Sequence, residues 1–258
     1  MQKNTKTLSG SYNVSGSITA SKFVGNIVDI GLQNKLLITK TPRLAGVLND
    51  YDRVLKQRNT LLRTRAPQSA IAPWTEQLIN FASVITAERI ALVDALNPLV
   101  AANYQELNEV KKAAIIYKSN IEELSTNTEA NQQLISAKIT EVQYQEVERG
   151  VTLVGPHRDD LVLQLGEFPA KGYASHGESW SFAISLKIGA LELLKSEGLD
   201  PILILDDVFA ELDTNRRARL VQATKLAEQT IVTAAVEGDL PTDLNDFRLY
   251  VSNGKVTK

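Results

Sequence analysis

The chain has 258 residues, 43% of them apolar, a formal net charge of −2, no cysteine and two histidines. That is enough apolar sequence for a sizeable core, in one large domain or two smaller ones. Disulfides, thiolate metal sites and multi-histidine metal sites are excluded, and any nucleic-acid contact must come from a local patch rather than from the whole-molecule charge. No apolar run approaches the roughly 18 residues of a membrane span, and the start "MQKNTKTLSGSYNVSGSITASK" has no apolar signal-peptide core. A soluble cytoplasmic protein without membrane association is expected.

Serine, threonine, asparagine and glycine dominate up to Ala20, and the short apolar stretch "FVGNIVDIGL" follows. Residues 1–41 read as an atypical segment, disordered or weakly strand-forming. From Pro42 the pattern is helical: Leu44, Val47, Leu48, Tyr51, Leu55 and Leu62 recur at three- and four-residue steps. Arg53, Lys56, Thr60 and Arg63 fall on another face, in the one clearly basic segment of the chain, which also holds Arg43, Arg58 and Arg65. That face is either solvated or in contact with phosphate.

"RAPQSAIAPW" reads as a loop punctuated by Pro67 and Pro73. Residues 75 to about 125 read as helix, with a kink or break expected at Pro98. Helix resumes after "STNTEANQQL" and runs to about Glu148. Residues 42–148 thus form an expected all-helical arm, an antiparallel bundle. Beyond Gly150 the texture is α/β. "VTLVG" and "LVLQL" read as strands around the turn "GPHRDD", "SHGESWSFAISLKIGALELLKSEG" as a buried helix, "PILILD" as a strand, "TNRRARLVQATKLAEQ" as a helix and "TIVTAA" as a strand. "RLYVSNGKV" reads as a hairpin turning at Asn253-Gly254. Strand and helix alternate as in a mostly parallel sheet wrapped by helices, so residues 149–258 are expected to form an α/β lobe.

Four stretches of this lobe have chemical potential. "ILILDD" is a continuous apolar strand ending in Asp206 and Asp207, and open α/β sheets bind ligands beyond the carboxyl ends of their strands. Asp206 suits a hard cation such as Mg²⁺, and Asp207 could then orient or deprotonate a water; the plain alternative is a strand stopping at a polar loop. Ser175 and Glu178 have capping-box spacing, while Gly177 between them would let an anion approach a helix N-terminus. Asp213 is placed to cap the next helix or to sit at a dimer interface near a second copy's nucleotide. In "GPHRDD", His157, Arg158, Asp159 and Asp160 crowd a turn, either as a surface ion-pair cluster or as a nucleotide-sensing loop.

In combination, "VGPHRDDL", "ASHGE" with its long helix, "LILDDVFAELD" and "TIVTAA" resemble the C-terminal part of the RecF family, DNA replication and repair ATPases of the ABC/SMC-like group. The similarity continues upstream through "PRLAGVLNDYDRVLKQRNTLLR" and "PWTEQL". The resemblance implies an ABC/SMC-like ATPase lobe behind a helical arm. It gives Ser175, Gly177 and Glu178 to the signature motif, which faces the γ-phosphate of ATP on the opposite subunit, and Asp213 to the D-loop. Asp206 matches the Walker B magnesium ligand and Asp207 the catalytic carboxylate. It further implies slow ATP hydrolysis, an ATP-dependent homodimer, and binding of single-stranded and gapped duplex DNA with Arg53, Lys56 and Arg63 as candidate contacts. RecR and RecO are the implied partners, with RecA loading at gaps in recombinational repair and the SOS response as the outcome.

One departure from the family matters. No G-x-x-x-x-G-K-[ST] phosphate loop occurs: in "GSYNVSG" the two glycines are one residue too far apart, and Ser17 follows where lysine is required. The family's P-loop lobe is therefore expected to be missing, as truncation or a frameshift would leave it, and autonomous ATP hydrolysis to be negligible. Loss of the lobe should also expose a sheet edge and an apolar patch. The competing reading is a non-enzymatic helical interaction module on an inert α/β scaffold; a hydrolase acting on another substrate has no nucleophile or oxyanion motif to support it.

Overall fold

The computed structural model describes residues 18–19, 30–107, 110–242, 244, 247–252 and 255–257. In chain order the elements are β1 (Ile18–Thr19), α1 (Ile30–Lys40), α2 (Leu44–Arg63), α3 (Gln68–Leu107), β2 (Ala113–Lys118), α4 (Thr128–Arg149), β3 (Asp160–Leu165), β4 (Phe168–Pro169), α5 (His176–Ser196), β5 (Ile202–Asp206), α6 (Thr214–Thr224), β6 (Gln229–Thr233), β7 (Tyr250–Ser252) and β8 (Lys255–Thr257). A parallel sheet has the order β1-β5-β6, an antiparallel one the order β2-β3-β4, and β7 and β8 pair as a hairpin. The α/β class expected from the sequence is the class observed.

α3 and α5 organise the molecule. The second half of α3 packs Leu92, Leu96, Val100 and Tyr104 against Phe182 and Leu186 of α5 and against Ile115 and Leu163 of the antiparallel sheet. The other side of α5 carries Trp180, Ile184 and Ile188 onto Leu205 of β5, Phe209, Leu212 and Leu220 of α6. Apolar on both sides, α5 is buried, as its sequence requires. The first half of α3 packs with Tyr51 and Val54 of α2 and Ile135 and Ile139 of α4.

Five expectations need correction. Residues 30–40 are helix, held by the burial of Gln33, Leu36 and Leu37, whereas Ile18–Thr19 is the short strand that the weakly strand-forming reading allows, paired with Leu205–Asp206 of β5. The remainder of 1–29 lies outside the described residues. Helix α3 begins at Gln68, within the expected loop, and passes Pro73 and Pro98 without a break. The amide bond forgone at Pro98 is offset by burial of Leu96 and Val100 on either side. The expected helix over 75–125 stops at Leu107, and Ala113–Lys118 is a strand paired antiparallel with β3, Ile115 opposite Leu163. Adjacent β-branched Ile115 and Ile116 favour it. "VTLVG" forms no strand. Its backbone bonds to side chains: the Thr152 N–H donates to Asn59 Oδ1 (2.7 Å) and the Leu153 N–H to Glu146 Oε1 (2.7 Å).

The fifth correction concerns "GPHRDD": Gly155, Pro156 and Asp159 are buried and His157 is half-buried, while Arg158 and Asp160 are exposed, and its contacts are hydrogen bonds, not a surface ion-pair cluster. Asp159 is buried and accepts a short hydrogen bond from the Tyr117 hydroxyl. Arg89 donates to the Pro156 carbonyl (2.6 Å). The His157 ring reaches the Thr152 carbonyl through Nε2 (3.2 Å) and the Tyr51 hydroxyl through Nδ1 (2.5 Å). A carbonyl only accepts, so Nε2 carries the proton and Tyr51 donates to Nδ1. Burial pushes the His157 pKa down and that of Asp159 up. Gly155, at φ +126°, passes so close to Tyr51 that a Cβ would lie 2.7 Å from its hydroxyl. Behind this junction, buried Arg58 bonds Glu146 (2.5 Å), Thr75 and Thr152, which removes Arg58 from the basic face of α2.

Among the described residues β6 pairs only with β5, and Ile202 of β5 and Ile231 of β6 are 37% and 43% exposed. The β7–β8 hairpin forms in the register Tyr250 opposite Thr257; its expected Asn253-Gly254 turn lies outside the described residues.

Candidate nucleotide-facing site

β5 is flanked by parallel partners on both sides, and its apolar run ends at Asp206. The Asp206 Oδ1 accepts from the Thr233 hydroxyl at the matching end of β6 (2.5 Å). Asp207 turns away at φ +54°, a left-handed conformation uncommon for a residue with a Cβ. Its N–H donates to the Thr233 carbonyl (3.1 Å), and its Oδ1 accepts from the Ala235 N–H (3.3 Å). The strained turn therefore sets two carboxylates at the carboxyl edge of the parallel sheet, both tied to the segment after β6. Thr233 and Ala235 were not identified from sequence; their signal was "TIVTAA" ending level with "ILILD". Asp207 is exposed and Asp206 half-buried.

Among the described residues no cluster of three or more His, Asp or Glu side chains forms a potential metal cage. Two adjacent carboxylates suit a hard cation that draws its other ligands from water and a phosphate, as Mg²⁺ does, and would not by themselves retain one.

The start of α5 is built by a full capping box. Ser175 Oγ accepts the Glu178 N–H (3.2 Å), and Glu178 Oε2 accepts the Ser175 N–H (2.8 Å). The other Glu178 oxygen bonds Lys111 (2.7 Å), which lies between α3 and β2. The Lys111 ammonium, followed by the Ser175 amide, holds the Glu178 carboxyl down at about 2. His176 Nε2 accepts from the Trp180 indole (3.0 Å), fixing the first turn to the core.

Asp213 caps α6, accepting the Arg216 N–H at Oδ1 (3.0 Å), and its Oδ2 makes a short ion pair with the Arg216 guanidinium. That guanidinium also donates from Nε to Ser181 Oγ of α5 (2.8 Å) and overlies Gly177, where a Cβ would lie 3.0 Å from Nη2. The structural readings of Ser175, Glu178 and Asp213 as caps thus hold in the structure. Arg216 and Lys111 were missed: Lys111 reaches Glu178, and Arg216 reaches Ser181 and Gly177, across gaps in sequence that no local pattern reveals, although the Asp213–Arg216 pair has the local i,i+3 spacing. On α2, Arg53, Lys56 and Arg63 are all exposed, Arg53 lying 2.8 Å from Asp50.

Curated proteins are similar to the chain in sequence. The chain is 44% identical over 236 residues to the DNA replication and repair protein RecF of Streptomyces avermitilis, covering 87% of this chain and 63% of that protein. It is 42% identical to RecF of Frankia alni (87% and 64%) and 40% identical to RecF of Beutenbergia cavernae (86% and 65%). The chain is related to RecF. It spans just under two thirds of the length of these RecF proteins. Two solved structures of the recombination mediator protein RecF in the RecFOR pathway share the fold: RecF-ATPrS, with TM-score 0.76 and 23% identity, and RecF-ATP, with TM-score 0.74 and 22% identity, each covering 88% of this chain and 61% of the other. No protein-family model matches. Among the described residues, no helix is long and apolar enough to cross a membrane.

Proposed function

We propose that this RecF-like chain supplies the signature, Walker B and D-loop side of an ATP-dependent DNA repair assembly. The observation that carries the reading is the parallel-sheet edge at Asp206–Asp207 packed, through one shared core, with the capped helix starts at Ser175 and Asp213. Asp206 would hold Mg²⁺ and Asp207 would orient the attacking water. Ser175, Gly177 and Glu178, with Asp213, would face the γ-phosphate of ATP held by a second subunit. Because these 258 residues hold no phosphate loop, the main grip on the β- and γ-phosphates has to come from outside them. Arg53, Lys56 and Arg63 would meet the backbone of single-stranded or gapped duplex DNA. RecO- and RecR-type mediators, and through them RecA, are the partners of this reading, in recombinational repair and the SOS response. The names of the relatives and of the solved structures support it.

The test is association with a P-loop-bearing relative. Full-length RecF of Streptomyces avermitilis is mixed with this chain and followed by sedimentation, with and without ATP and Mg²⁺. The expected result is a mixed dimer that requires both, is lost in Ser175→Arg, and does not form in the absence of nucleotide. The chain alone is expected to show no Mg²⁺-dependent ATP turnover. Turnover by the chain alone that disappears in Asp207→Asn would overturn the assignment of the phosphate grip. Association indifferent to nucleotide would favour the helical interaction module instead.

A further inference from the structure

We propose that Arg216 is a positioning residue that locks the Asp213 segment to the start of α5, so that both meet the same triphosphate as one rigid unit. The inference rests on the proposed nucleotide-facing reading and adds to it a residue outside the motifs. Three contacts and one close approach carry it. The Arg216 N–H donates to Asp213 Oδ1 (3.0 Å), its guanidinium pairs with Asp213 Oδ2, its Nε donates to Ser181 Oγ (2.8 Å), and its Nη2 lies 3.0 Å from the position of a Gly177 Cβ. One side chain thereby touches the first and second turns of α5 and the cap of α6.

The placement is electrostatically unusual. The N-terminal end of a helix is its positive end, and a cation there is unfavourable unless an anion accompanies it. Here the Arg216 side chain is only 20% exposed, so the charge is poorly solvated, and its partner Asp213 is 53% exposed. An arrangement made solely for stability would place an apolar or neutral residue between these helices. A guanidinium is the group whose planar fork can satisfy Asp213 and Ser181 at once while its Nη2 comes close to a glycine; an ammonium cannot make both contacts in fixed geometry. A side chain at position 177 would therefore meet the Arg216 guanidinium, its Cβ 3.0 Å from Nη2. Phosphate charge arriving in front of α5 would also be stabilised by the cation already held there.

The experiment uses the full chain in the mixed-dimer assay with RecF of Streptomyces avermitilis, ATP and Mg²⁺, reading the ATP concentration at half-maximal association. Arg216→Ala is expected to raise it about tenfold, the scale of a lost charged hydrogen bond, and Arg216→Lys to raise it comparably. Ser181→Ala should give a smaller loss that vanishes in the Arg216→Ala background, since the two act through one contact. Thermal unfolding without nucleotide separates a positioning role from a structural one. Loss of association in Arg216→Lys and Ser181→Ala with unchanged unfolding supports the proposal, even where Arg216→Ala itself fails to fold. Normal association in folded Arg216 variants, alongside abolition by Ser175→Arg, overturns this proposal and leaves the nucleotide-facing reading intact. Association that survives Ser175→Arg, or that never depends on ATP, overturns that reading and this inference with it.

Discussion

Glu178 links the helical part of the chain to the candidate site through a single carboxylate. One oxygen takes the Lys111 ammonium and the other the Ser175 amide. Its folded pKa is depressed to about 2, from an ordinary value of 4.5. A depressed carboxyl stabilises the fold above its unfolded pKa, and that contribution disappears as pH falls through the folded value. The contribution of Glu178 is therefore full above about pH 4.5 and lost toward pH 2. In Lys111→Ala the carboxyl should return upward, most of the way to the ordinary range, as read by carboxyl carbon NMR during an acid titration. A carboxyl that still titrates near its wild-type position would assign the depression to the Ser175 amide instead. At this scale much was legible: Ser175 with Glu178 by capping-box spacing, and Asp206 and Asp207 by their place after an apolar strand. Lys111, Thr233 and Arg216 were not, because they meet Glu178, Asp206 and Ser181 at sequence separations of 27 to 67 residues, which local spacing does not encode. Arg58 is the instructive failure. It lies on the basic stretch by composition, yet the apolar face of α2 turns it inward to Glu146.

Among the elements, α3 and α5 determine how rigidly the site is presented, and they pack closely at Gly189. A Cβ there would meet Val100 Cγ2 at 3.2 Å, Leu99 Cβ at 3.3 Å and the Val100 backbone nitrogen at 3.3 Å. Two effects oppose each other in Gly189→Ala. Helix propensity favours alanine by about 1 kcal/mol, while overpacking a buried helix crossing costs about 1–3 kcal/mol. The backbone nitrogen of α3 cannot move aside as a side-chain tip could, so overpacking should win. Urea unfolding is expected to show a net loss of about 1–2 kcal/mol; a variant more stable than wild type would mean that the crossing can relax. Elements with an unambiguous period were legible. α5 reads as buried because it is apolar all round, and β5 as a central parallel strand because its run is continuous. β2 was hidden because "AAIIYK" follows forty residues of helix without a glycine or proline between. "VTLVG" misled because its apolar alternation is real, but Asn59 and Glu146 take its amides. α1 depends on packing against α3, which its own sequence does not advertise.

For the whole molecule, the net charge of −2 argues against indiscriminate nucleic-acid binding, so any DNA contact has to be confined to a patch. Arg58 is buried, while the candidate contacts on α2, Arg53, Lys56 and Arg63, are all exposed. Positions 53, 56 and 63 are three and seven residues apart and share one stripe of the helix, which a phosphate backbone could follow. Arg53 enters with a nearby competitor, Asp50, whose pairing must be exchanged for a phosphate. Three phosphate neutralisations predict a salt dependence of log affinity against log salt of about −2.7 on duplex DNA, or about fortyfold weaker binding from 50 to 200 mM salt. The glutamine triple variant at these positions should remove most of that slope without altering the fold, since none of the three side chains is buried. Fluorescence anisotropy with a gapped duplex over a salt series measures it. A wild-type slope retained in the triple variant would move the DNA surface off α2, and the remaining basic residues around the helix starts of the α/β part would then be the ones to replace.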